Sequence, residues 1–114
     1  MNDRGQKGEA RAALFLESNG LCIIERNYRS RYGEIDLIAR DGKTLVFVEV
    51  RARKSDAYGG AAASITLAKR NKLTRTALHY LASAGSTPPC RFDAILLTGE
   101  HNPVEWIKDA FSAS

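Results

Sequence analysis

The chain predicts an α/β fold: a mixed sheet with helices packed on its faces, in the order α-β-β-β-α-β-β. Three observations carry that expectation. Asp41-Gly42 lies between two apolar runs and is a strong hairpin signal. Two segments with helical apolar spacing bracket the central strands. The second of them separates the hairpin from a further apolar run, so the next strand returns by a helical crossover and the sheet is mixed. At 114 residues the chain suits one domain with a real core and is too short for two, so residues 1–114 are read as a single domain. A composition of 44% hydrophobic and 26% charged residues argues against disorder.

The first helix is expected over residues 3–19, with Asp3 as N-cap and Asn19-Gly20 as stop. At 100° per residue, Ala10, Ala13, Leu14 and Leu16 cover one broad face. Glu9 and Glu17 fall within that arc. Glu17 reads as an edge residue paired with a lysine or arginine, whereas Glu9 fits a paired carboxylate and a functional one equally. Residues 21–28 read as a strand, and residues 34–40 and 44–51 as a hairpin. A loop over residues 55–62 hinges at Gly59-Gly60. The second helix, residues 63–84, carries the stripe Ile65, Leu73, Ala77 and Tyr80. Lys69 lies inside that stripe, either packing its stem with the ammonium in water or contacting a phosphate. Residues 91–97 and 104–107 complete the sheet, and Trp106 and Phe111 are expected to cap the core. His79 and His101 read as packed or surface histidines.

No apolar run approaches the ~20 residues of a membrane-spanning helix, and the polar N-terminus is no secretory signal. Cys22 and Cys90 match no metal spacing and read as two reduced, buried thiols. A cytoplasmic protein without a membrane partner is expected. The net charge is +4, and the basic residues concentrate between residues 26 and 75, around the acidic segments. Carboxylates in a basic field suit an enzyme that attracts phosphates and holds a divalent cation, and a plain solvated basic face is equally compatible.

Those acidic segments are Gly33-Glu34-Ile35-Asp36-Leu37-Ile38 and Val48-Glu49-Val50-Arg51. Asp and Glu are depleted in strands and almost never buried without a partner. By alternation Glu34, Asp36 and Ile38 share one face of their strand, and Leu45, Phe47, Glu49 and Arg51 one face of the next. A four-residue loop over residues 41–44 sets Asp36 opposite Glu49. A two-residue loop sets Glu34 there, with Asp36 on the diagonal. Opposed Cβ atoms lie ~5 Å apart, so two such carboxylates need a proton or a cation between them. Oxygen ligands favour Mg²⁺ or Mn²⁺. Simple pairing with arginines on a solvated face is the rival explanation.

The chain resembles the YraN family, bacterial proteins described as endonucleases related to archaeal Holliday-junction resolvases. Gly8-Glu9, Arg26-Asn27-Tyr28-Arg29, the two acidic segments extended to Phe47, Tyr58-Gly59, Lys69 and Arg91-Phe92-Asp93 carry the resemblance. It spans residues 8–110 and implies a restriction-endonuclease-like fold with the PD-(D/E)xK signature. Asp36 then matches the motif's Asp, Glu49 its Asp/Glu and Arg51 its Lys, while Glu9 matches the helix glutamate of the resolvase branch. Arginine in place of lysine is a departure, because arginine cannot act as a base. Ile35 stands where the motif has proline. The function implied is metal-dependent hydrolysis of phosphodiester bonds in structured or branched DNA. Asp36, Glu49 and Glu9 would hold Mg²⁺ or Mn²⁺, and Arg51 would orient water or phosphate. Lys69, Arg53 and Lys54 would contact backbone phosphates, which position a strand without reading its bases. Glu34 would be an outer partner of the site or a hairpin ion pair. The alternatives are a nucleic-acid-binding module that has lost catalysis and a partner-binding protein. An open sheet edge and the dimeric resolvase relatives are compatible with a homodimer.

Overall fold

The computed structural model describes residues 3–52, 65–85, 87–99, 101 and 103–111. Its elements follow the expected order: α1 (Asp3–Ser18), β1 (Cys22–Ser30), β2 (Gly33–Asp41), β3 (Thr44–Ala52), α2 (Leu67–Ala84), β4 (Cys90–Leu97) and β5 (Glu105–Phe111). The strands lie side by side as β1-β2-β3-β4-β5. β3 and β4 are parallel and the other neighbours antiparallel. The mixed α/β sheet is therefore as predicted, in an architecture compatible with the restriction-endonuclease-like class. Among the described residues no helix is long and apolar enough to cross a membrane. Arg53, Lys54, Tyr58 and the Gly59-Gly60 loop lie outside the described residues.

Strand alternation divides the core in two. On one face Leu37, Ala39, Val46, Val48, Ile95 and Leu97 pack against Ala12, Ala13 and Leu16 of α1. On the other, Ile38, Leu45, Phe47, Phe92 and Ala94 pack against Leu73 and Ala77 of α2. The α1 stripe differs from the predicted one. Leu14 is 68% exposed and Ala10 is exposed, while Ala12 is fully buried. The buried line thus runs Glu9, Ala12, Ala13, Leu16, an i, i+3, i+4, i+7 pattern rotated from the face expected. Glu17 is exposed. Of the α2 stripe Leu73 and Ala77 are buried and Tyr80 half-buried, whereas Ile65, though buried, precedes the helix, which starts later because Thr66 is extended and caps it by accepting the Lys69 N–H at 3.2 Å.

The hairpin pairs Asp41↔Thr44 through Leu37↔Val48, with Gly42-Lys43 as its turn. Asp41 thus pairs within the ladder instead of turning. The turn is therefore two residues and not four, yet because it lies at Gly42-Lys43 its register is the one that, continued one step past Leu37↔Val48, points Asp36 toward Glu49. Gly33 opens β2 at φ +149°, a backbone conformation that side-chain-bearing residues rarely adopt, and α2 passes close by, with Thr76 Oγ1 at contact distance from where a Cβ would stand. Cys22 and Cys90 are free but exposed, not buried, because each is the first residue of its strand.

Phe111 stacks on Phe92 with centroids 4.6 Å apart, and Phe15 meets Trp106 edge-on at 5.9 Å. Asp93, next to Phe92 on β4, is fully buried. It accepts from Arg91 Nε (3.0 Å), Trp106 Nε1 (2.9 Å) and the Asp109 N–H (2.9 Å), and Arg91 Nη1 also reaches Asp41 at 3.0 Å. One carboxylate so ties β4, β5 and the β2–β3 hairpin tip. A charge partnered this fully is tolerated, but removing it leaves the half-buried Arg91 with Asp41 alone and the Trp106 and Asp109 N–H groups without their acceptor. Asp93→Ala should therefore cost about 3 kcal/mol, a fall in Tm on the order of 10 °C. Thermal unfolding followed by circular dichroism tests this, and a Tm unchanged within about 2 °C refutes it.

Candidate functional site

β2 and β3 cease to pair where the carboxylates begin. Beyond Leu37↔Val48 the Asp36 side chain takes over, its Oδ2 accepting the Val50 N–H at 2.8 Å. A side chain thereby satisfies a β3 donor that a β2 carbonyl would otherwise serve. The expected common face of Glu34, Asp36 and Ile38 is not kept: Ile35 joins Ile38 on the α2 side while Leu37 packs on the α1 side, so alternation breaks at Asp36 and Glu34 comes to the side of α1. Glu9 arrives from α1, whose approach depends on its neighbour: a Cβ on Gly8 would lie 3.2 Å from Leu97 Cδ1. One carboxylate oxygen each from Glu9, Glu34 and Asp36 lie within 4.8 Å of one another, and all three residues are half-buried.

Glu49 adjoins this group and is buried, at 4% exposure. Lys69 Nζ stands 3.2 Å and Arg51 Nε 4.0 Å from the same Oε2. That oxygen accepts no well-aligned hydrogen bond, so the two contacts are charge attraction and leave a buried lone pair available to a ligand. Lys69 thus turns inward to a carboxylate instead of extending into water.

Burial, then the hydrogen bond and charge of Glu49, push the Asp36 carboxyl up to about 7, against the pull of the Val50 N–H and Lys69. Burial also raises Glu9, aided by the charges of Asp36 and Glu34 and opposed chiefly by a hydrogen bond from Asn27. The cluster therefore carries more negative charge than its surroundings satisfy, which is the condition for holding protons or a cation. Three carboxylates within reach of one point form a hard oxygen donor set that fits Mg²⁺ or Mn²⁺.

Of the residues singled out in the sequence, Asp36, Glu49, Glu9, Lys69 and Arg51 converge here, and Arg53 and Lys54 fall outside the described residues. Glu34 has a larger part than was expected of it. It pairs with Arg29 at 3.7 Å, an exposed contact worth little by itself, and also joins the acidic group. Its place two residues before Asp36 in an apolar strand was the available signal. Asn27 was overlooked as a site residue. It sits at φ +54°, a conformation asparagine tolerates better than most residues and one that concentrates at functional sites.

A profile of the Uncharacterised protein family UPF0102 matches residues 8–97. A UPF0102 protein of Nitrosomonas europaea is 57% identical over the whole of both chains. One from Dechloromonas aromatica is 56% identical, covering 96% of this chain and 89% of its own. The UPF0102 protein YraN of Salmonella typhi is 55% identical, covering 95% of this chain and 83% of its own. The chain belongs to the UPF0102 family, the family of YraN.

Proposed function

We propose that this chain is a metal-dependent endonuclease that hydrolyses phosphodiester bonds in structured or branched DNA. The observation that carries the reading is the meeting of Glu9, Glu34 and Asp36 at the fork between β2 and β3, beside Glu49 and its two cations. Asp36, Glu9 and Glu34, with Glu49 adjoining, would hold Mg²⁺ or Mn²⁺, which when bound lowers the pKa of a coordinated water and stabilises charge developing on the phosphate.

The chain's own residues divide the remaining work. Arg51 is permanently cationic and half-exposed, so it suits the holding of a phosphate oxygen. Lysine, unlike arginine, is a side chain that can exchange a proton. Lys69, reaching the same Glu49 oxygen from α2, supplies the amine that the strand lacks at position 51. The Val50 N–H fixes Asp36, so the carboxylate is oriented before substrate arrives. Binding without cleavage is the rival reading, and Arg51 is the residue that favours it.

Cleavage of labelled branched, duplex and single-stranded DNAs with Mg²⁺ or Mn²⁺ tests the proposal. Asp36→Ala and Glu49→Ala should each lower the rate by about two orders of magnitude or more. Cutting that survives both substitutions, or wild-type binding that is indifferent to EDTA with no cutting, would sink it. Lys69→Met should lose about 10²-fold or more, while Arg51→Lys should stay active. The reverse ranking would return proton transfer to position 51.

The Asp36 carboxyl also sets a pH signature. It rises from 3.8 to about 7 on folding, so between those values the folded chain holds the proton that the unfolded chain releases. Without divalent cations, stability present at low pH is therefore lost as pH rises toward 7. In EDTA, Tm should fall between pH 5 and pH 8, and Mn²⁺ should restore it at pH 8. Asp36→Asn should flatten this dependence and stabilise the metal-free protein at pH 8 by about 1–2 kcal/mol. A wild-type Tm that does not move with pH refutes the assignment.

A further inference from the structure

A second cluster adjoins the acidic one and is aromatic and cationic. β1 and β2 meet at Ser30↔Gly33, which leaves Arg31-Tyr32 as the hairpin tip. Two-residue tips are ordinarily Gly, Asn or Asp, so turn chemistry does not account for this pair. The Arg31 guanidinium lies 4.9 Å from the centre of the Tyr32 ring, and its Nη2 donates to Tyr32 Oη at 2.7 Å. The Tyr32 N–H donates to Ser30 Oγ at 3.0 Å. From α2, His79 meets Tyr32 with ring centroids 6.1 Å apart, and its Nδ1 is 2.6 Å from Tyr28 Oη. Tyr28 in turn packs edge-on to Tyr80, a core aromatic, at 5.2 Å. The inner rings of this row complete the core. The outer members, Arg31 and His79, are exposed, and Tyr32 is half-exposed. They are held in place by hydrogen bonds although no core packing requires them.

Position gives the row a use. Tyr32 precedes Glu34 by two residues on the same hairpin. Along α2, Lys69 stands at the carboxylates, Lys72 beside Gly33 and His79 at the shelf, about 15 Å from Lys69 at 1.5 Å rise per residue. Lys72 and Arg75 are exposed on the stretch between. A cationic track leading to fixed π-faces is the arrangement by which proteins hold single-stranded nucleic acid, cations following the phosphates while bases stack.

We propose that Tyr32 and His79, buttressed by Arg31 and Tyr28, form a stacking shelf for an unpaired nucleobase a few nucleotides from the strand position held at the carboxylates. The shelf rests on the nucleic-acid reading above and deepens it: the substrate it selects has unpaired bases beside the bond attacked, as a branch point, flap or single strand does. A fully paired duplex offers its bases to the shelf only at its ends.

Fluorescence anisotropy in EDTA, with the full chain, reads binding without requiring cleavage. The probes are a labelled oligothymidylate carrying one 2-aminopurine and a closed-end hairpin duplex of the same charge. Tyr32→Ala and His79→Ala should each weaken single-strand binding about tenfold and remove 2-aminopurine quenching, with duplex affinity unchanged. Tyr32→Phe should retain the quenching. The exposed positions make loss of folding checkable by unchanged Tm. If both alanine variants bind and quench like wild type, the shelf is wrong while nucleic-acid recognition stands. If the variants weaken both probes equally, their contribution is charge or fold and the shelf is again wrong. If the wild type binds neither probe, in EDTA or with Mn²⁺ added, the shelf and the proposed function fall together.

Discussion

The bond from the Val50 N–H to Asp36 Oδ2 organises the rest of the site. An antiparallel ladder that continued past Leu37↔Val48 would place Asp36 and Glu49 simply as opposed side chains on a sheet face. Ending the ladder there frees a backbone donor, and a buried donor must find an acceptor. The Asp36 carboxylate supplies it and is thereby drawn into the fork between the strands, half-buried and aimed. That single substitution of side chain for main chain converts a hairpin into a cleft. Glu9 from one layer and Lys69 from the other then close on it from α1 and α2.

Electrostatics at the fork are uneven. Glu49 is met by two cations, whereas Asp36 faces Glu49 and the Val50 N–H, and Glu9 and Glu34 gather beside it with Arg29 at the rim and Asn27 on Glu9. Burial and like charge raise Asp36 and Glu9 together. The structure tolerates that cost because the scaffold beside it is firmly built: the buried Asp93 holds β4, β5 and, through Arg91, the hairpin tip with charge-assisted bonds. One buried carboxylate is completely satisfied and serves architecture, while those at the fork are left unsatisfied and serve binding.

Much of this was legible in the sequence, and the reasons are specific. The element order followed from periodicity and from Asp41-Gly42, and the carboxylates at positions 34, 36 and 49 stood out because apolar strands seldom contain acids. The α2 stripe with Lys69 inside it was legible for the same reason. Other features were not. The α1 face was misplaced because alanines score weakly in any periodicity, so Leu14 pulled the apolar direction toward solvent. Loop length alone left two hairpin registers open, and the pairing of Asp41 with Thr44 resolved them. Burial of the cysteines was assumed from residue type, whereas exposure follows from their places at strand starts. Asp93 went unassigned because its partners, Arg91, Trp106 and Asp109, gather only through a bulged β4–β5 pair.

The parallel pairing of β3 with β4 has a consequence for how the chain matures. Every residue at the fork lies N-terminal to β4, yet β3 gains its second neighbour only when β4 docks, along Leu45↔Cys90 to Ala52↔Leu97. As synthesis proceeds, the charged residues emerge well before the strand that shields them. A non-local parallel pairing is also among the slower contacts to form. The incomplete chain therefore holds all the acidic and basic groups without the rigid frame that brings them together. The frame on which the fork rests is thus completed by a strand that comes after every residue of the fork in the sequence.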